Sequence, residues 1–126
     1  MIILGVAFAT LVSFLASALL YALPRVGRLV AQNSTPRPGL PFAVQIGSVV
    51  LRGLIASCLV AGLMLATGWQ GAGAGAALGL SLSVLPLILL MGGVVHENTA
   101  LPVAVVHLAD WVIKLVVIGT IVGIFV

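Results

Sequence analysis

The sequence predicts an all-α integral membrane protein, four transmembrane helices in an up-down-up-down bundle. Three observations predict this fold class. Hydrophobic residues make up 63% of the 126-residue chain and charged residues 6%. A soluble domain has about 45–50% and about 25%, so this chain carries too little charge to cover a water-facing surface. Four apolar runs, about 2–23, 46–67, 72–95 and 101–126, each reach the ~20 residues needed to cross ~30 Å of hydrocarbon. None alternates polar and apolar residues as the ~10-residue strands of a membrane barrel do. Backbone groups are therefore satisfied inside helices, and one transmembrane domain is expected over 1–126.

The first run, 2–23, has no positive residue ahead of it and is longer than the apolar stretch of a secretory signal, so it is expected to stay as a helix. After it comes "PRVGRLVAQNSTPRPGLP" (24–41), with Arg25, Arg28, Arg37 and four prolines. Such a segment builds no core, and an irregular surface loop is expected over 24–45. The second helix, 46–67, contains Arg52 and the lone cysteine, Cys58. A single thiol forms neither an internal disulfide nor a metal site and reads as a packing residue. The tight turn "TGWQG" (67–71) follows, where Trp69 suits an interfacial anchor. In the third helix, 72–95, Pro86 is expected to introduce a bend, with Ser81 and Ser83 satisfying the carbonyls it frees. "HENTALP" (96–102) is short, and short connections favour antiparallel neighbours.

Basic residues set the orientation. Arg25, Arg28, Arg37 and Arg52 gather at one side, and the remaining cation, Lys114, is embedded. Positive residues stay cytoplasmic, so the first and third connections are expected inside and both termini outside.

Gly71, Gly75, Gly79 and Ser83 recur every four residues along one face of the third helix, and Gly119 and Gly123 repeat the interval in the fourth. Small residues so spaced let backbones approach closely. Two readings follow: packing within one bundle, or a face that holds a homo-oligomer or another membrane subunit.

"HLADWVIKL" (107–115) places two opposite charges and an imidazole inside the fourth run. His107, Asp110, Trp111 and Lys114 are spaced 0, 3, 4 and 7 and share a helix face. Asp110 precedes Lys114 by four, the favourable order for an ion pair. Counting ~20 residues back from Val126 puts the hydrocarbon boundary near Val106 or His107. At ~1.5 Å per residue, Asp110 then lies about 5 Å deep and Lys114 about 11 Å deep. A bare charge at such depth costs ~2.5–3.5 kcal/mol on insertion scales, so the stripe is expected to face the bundle interior, a hydrated cleft or another protein. Arg52 enters from the same side at a depth like that of Asp110, which predicts a pairing across helices with His96 and Glu97 capping the mouth. The candidate polar cluster is Arg52, His96, Glu97, His107, Asp110 and Lys114. It can serve as a self-neutralising network that fixes helix register, as a site for a proton, an ion or a polar head group, or as cations snorkelling to the headgroups.

Other chemistries find no footing. There is no basic cluster for a phosphate backbone, so no nucleic-acid partner is expected. His96, Glu97 and His107 do not form an H-E-x-x-H pattern, and neither a metal nor a cofactor is expected. The glycines of "GAGAGA" lack the preceding strand of a dinucleotide fingerprint, and no catalytic constellation is found. Membrane lipids and other membrane subunits are the expected partners. The leading expectation is an accessory or structural subunit acting through helix–helix contacts. The second is a minimal ion- or proton-linked transporter using the intramembrane cluster. A lipid-directed enzyme, with Arg52 and Lys114 on an anionic head group, comes last.

Two stretches resemble a family of small four-helix bacterial membrane proteins, the one catalogued as domain of unknown function 1761. In that family the first helix ends on an aromatic pair, a glycine and a basic residue. Here "YALPRVGRLV" (21–30) matches at Tyr21, Gly27 and Arg28, with Pro24 offset by one and no aromatic near Val30. "GTIVG" (119–123) is similar to the family's last helix, and Glu97 to an acidic residue ahead of it. Where the family has an Asp and a His one turn apart, this sequence has His107 and Trp111, with Asp110 out of step. The resemblance spans most of the chain. It implies a four-helix fold in the bacterial cytoplasmic membrane and implies no activity.

Overall fold

The computed structural model describes residues 1–126 as six helices: α1 (Ile2–Ala22), α2 (Pro24–Asn33), α3 (Phe42–Thr67), α4 (Ala72–Leu82), α5 (Val84–His96) and α6 (Leu101–Phe125). Four stretches are long and apolar enough to cross a membrane, with α4 and α5 together forming the third. Neighbours run antiparallel. Gly5 of α1 lies against Phe125 at the far end of α6, Thr10 of α1 meets Ser57 of α3, and Gly79 of α4 meets Leu115 of α6. The fourth span, α6, touches every other helix.

The segment 24–45, expected as an irregular loop, begins with a ten-residue helix, α2. Its physical reason is in the proline spacing. Pro24 occupies the first helical turn, where its missing N–H is no loss, and Pro36, Pro38 and Pro41 all come after Asn33. Leu23, held out of the helical region by the proline that follows, separates α1 from α2 at φ −61° and ψ 128°. Arg25 and Arg28 are exposed, while Val26, Leu29 and Val30 are half-buried towards α1 and α6. The next span starts directly after Pro41, earlier than the expected Ile46, and closes at Gly68, whose positive φ of 71° suits a left-handed helix ending.

Six buried apolar side chains, Ala9, Val60, Ala61, Met64, Ile118 and Val122, form one cluster. It lies in the half of the bundle distant from the arginines: towards the start of α1 and the ends of α3 and α6. Beside it α4 and α6 press backbone on backbone. A Cβ added to Gly75 would stand 1.8 Å from the Gly119 carbonyl oxygen, and one added to Gly119 would stand 1.9 Å from that of Gly75. Gly79 meets Leu115 and Gly123 meets Gly71 in the same way, and the Gly71 N–H donates to the Gly123 carbonyl at 3.0 Å. The spaced glycines of the third and fourth spans thus face each other within the chain. In lipid such a seam is held by dispersion and weak polar contact rather than by expulsion of water.

The third span breaks at Ser83, between α4 and α5. Pro86 has no N–H for the Leu82 carbonyl, and the helix is interrupted there. The serine hydroxyls do not take up that carbonyl as expected. Ser81 donates to Ala77 at 2.9 Å and Ser83 to Gly79 at 3.0 Å, the ordinary one-turn back-bonds of membrane helices. Beyond the break, α5 leaves the seam and contributes no buried residue.

Candidate functional site

On the arginine-bearing side the bundle opens. A cavity of about 540 Å³ is lined from all four spans: Phe14, Ser17, Ala18 and Tyr21 of α1, Ile46, Val49 and Arg52 of α3, Leu90 of α5, and His107, Asp110, Trp111 and Lys114 of α6. The four α6 residues come from one face, as their spacing predicts. They reach a cavity because α5 diverges beyond Ser83.

Asp110 and Lys114 are the innermost charges, 5% and 4% exposed. Lys114 Nζ donates to Asp110 Oδ2 at 2.8 Å, and Ser17 Oγ donates to Oδ1 at 2.5 Å. Each carboxylate oxygen therefore has a donor, and charge-assisted bonds of this kind are about twice as strong as neutral ones. The ammonium also lies 5.0 Å from the Trp111 ring centre, within cation–π range. Lys114 stands one residue from the midpoint of α6, where an unpaired charge would be most costly. Pairing, not snorkelling, is how it is accommodated.

Nearer the surface, the Tyr21 hydroxyl and His107 Nδ1 share a hydrogen bond of 2.6 Å, with the rings tilted at 49°. A second, outer cavity of about 640 Å³ begins here. It is walled by α2, the linker after it and the start of α3, and its lining includes Arg37, Ser34, Thr35, Gln45 and Ser48. Tyr21, Val49, Arg52 and His107 line both cavities. The Tyr21–His107 pair and Arg52 thus stand at a neck where an outer chamber adjoins an inner one, both of them open.

Arg52, His107, Asp110 and Lys114 are brought together, but the predicted Arg52–Asp110 pair is not formed. Lys114, one turn from Asp110 on the same helix, takes that carboxylate and completes the single salt bridge of the chain. His96 and Glu97 do not join the cluster. α5 runs on to His96, so both residues are exposed at the connection to α6, outside the cavities. Sequence reasoning missed Ser17 and Tyr21 as site residues. Their signal was the four-residue interval Gly5, Ala9, Ser13, Ser17, Tyr21. Its first four members are buried in the structure, and it aims the last two at α6.

Four apolar spans enclosing a charged interior cleft define a small multi-pass membrane protein with an intramembrane polar site. The family model described as "Protein of unknown function (DUF1761)" matches residues 4–123, and the chain belongs to that family. The resemblance carried by Tyr21, Gly27, Arg28 and the "GTIVG" run is thereby shown. No curated protein matches the chain, and no solved structure does.

Proposed function

We propose that this protein is a minimal ion- or proton-linked transporter of the bacterial cytoplasmic membrane, with the first and third connections inside and both termini outside. The observation that carries this reading is the buried Asp110–Lys114 pair beside a chamber lined from all four spans. Charged groups this deep are costly and commonly mark the path of an ion. Their chemistry couples two events. A proton arriving on Asp110 cancels the charge that holds Lys114, and the ammonium is then free for another anionic partner in the chamber. Loss of the proton restores the pair.

Glycine faces motivated the alternative, an accessory subunit held by helix–helix contacts. α4 and α6 use those faces on each other, so the glycine faces do not support that reading. Purified protein in vesicles carrying a pH-sensitive dye tests the transporter reading. Proton movement above that of empty vesicles is expected, and Asp110→Asn and Lys114→Met should each reduce it by at least tenfold. Vesicles no leakier than controls, or movement untouched by both variants, would end the proposal.

A further inference from the structure

We propose that the joined chambers bind an anionic head group, phosphate or carboxylate, attached to an apolar tail, with Arg52 as the principal contact for the head. The inference deepens the transporter reading, on which it rests, by naming the class of molecule the cleft accepts.

Charge comes first. The lining of the two chambers holds Arg37, Arg52 and Lys114 against a single carboxylate, Asp110. Asp110 is committed to Lys114 and Ser17, and Glu97 lies outside. Two guanidinium charges are left over. That of Arg52 is ten residues into α3, about 15 Å along a membrane helix, and it has neither an ion pair nor a hydrogen bond from the chain. The residue is exposed, and its side chain lines both chambers. A guanidinium in that position is matched by a planar or tetrahedral oxyanion that accepts two parallel hydrogen bonds.

Shape comes second. Ser34, Thr35 and Ser48 offer the outer chamber hydroxyl groups suited to a solvated head. Past Arg52 the inner chamber is mixed: Phe14, Ala18, Ile46, Val49 and Leu90 provide an apolar wall opposite the Asp110–Lys114 pair. Each chamber falls in the roughly 300–1,000 Å³ range of small-molecule sites. A head at the neck with a tail against the apolar wall satisfies both. An inorganic cation satisfies neither, because it would meet uncompensated arginines.

The test uses Trp111, which lines the inner chamber, as reporter in a Trp69→Phe background, so that one tryptophan remains. The protein is placed in phosphatidylcholine nanodiscs and titrated with decyl phosphate and, separately, decyltrimethylammonium. A saturable change in Trp111 emission is expected with the phosphate and none with the ammonium. Arg52→Gln should weaken the apparent affinity about 10- to 100-fold, as expected for loss of hydrogen bonds between charged groups. Arg37→Gln, in an exposed linker where folding is not at stake, should weaken it severalfold. Nanodiscs containing phosphatidylglycerol separate the two sources of the head group. If that lipid alone shifts the emission and abolishes the response to decyl phosphate, the occupant is a membrane lipid; if decyl phosphate still binds, it is a water-borne amphiphile. An equal response to the cationic amphiphile, no response to either anion, or affinity unchanged in both arginine variants would overturn the proposal. Proton movement in vesicles is measured separately. Flux without anion binding would remove this inference and leave the transporter reading, and binding without flux would do the reverse.

Discussion

The two halves of this bundle solve opposite problems with the same helices. In the half remote from the arginines, α4 and α6 touch through glycine backbones, and Ala9, Val60, Met64, Ile118 and Val122 close the remaining space. In the arginine-bearing half the same α6 faces a chamber, carries Asp110 and Lys114, and has only the loosely applied α5 where α4 had pressed against it. The difference teaches that dense packing at one end lets the other stay open. Without water to drive apolar surfaces together, stability depends on close contact, and here that contact is concentrated away from the charged groups.

The largest expected effect comes from splitting the ion pair. Asp110→Asn or Lys114→Met alone leaves a buried group without its partner and should cost about 3–5 kcal/mol, whereas the double variant should regain most of that. Thermal unfolding in detergent, analysed as a double-mutant cycle, measures the coupling. If the double variant is as unstable as the singles added together, the pair contributes no mutual stabilisation and the contrast between the halves is wrong.

Next is the glycine seam. Gly75→Ala and Gly119→Ala each drive a methyl group onto a carbonyl and should destabilise by about 1–3 kcal/mol or more. The same unfolding assay should show this loss with decyl phosphate affinity per folded molecule unchanged. A large drop in affinity would mean that the dense half also shapes the site.

Tyr21→Phe keeps the ring and removes the hydroxyl that meets His107, for an expected loss of about 0.5–1.5 kcal/mol. Its sharper readout is access. With the neck unlatched, a water-soluble quencher such as iodide should reach Trp111 more readily in the Trp69→Phe background. Quenching equal to that of the parent would show that the neck does not limit entry.

The smallest effect is expected at Gly62 and Gly92, where an added Cβ meets nothing within 4 Å. Alanine there should stay within about 0.5 kcal/mol of the parent. A loss comparable to that at Gly75 would show that helix glycines matter here for some reason other than close approach.

The spans were legible because hydrocarbon leaves few structural options, and the shared face of His107, Asp110, Trp111 and Lys114 was legible because helical spacing is rigid. What stayed hidden depends on choices between neighbours. The spacing of Asp110 and Lys114 made their pair legible, and it forms; that this pair would leave Arg52 without Asp110 was not legible. Ser17 looked like one more small residue in an apolar helix, and only its distance from Asp110 gives it a role. α2 was obscured by composition: "PRVGRLVAQN" shares its segment with three further prolines, and the average over 24–41 hid a helix whose own ten residues have proline only at the start. His96 and Glu97 were misplaced because α5 continues to His96 and carries both residues past the mouth.

One consequence of the α4–α6 contact concerns motion. Gly75 and Gly119 are separated by less than a methyl group, and residues with methyl groups, Ala74 and Ala76, flank Gly75. Gly71, Gly75 and Gly79 recur about once per helical turn, so a slide of α4 along α6 by less than a turn would carry the glycines off their opposing backbone. The seam therefore acts like a detent, with defined resting positions and no smooth slide between them. The segment past Ser83, which has no buried residue, is the part of the third span that this clamp does not hold.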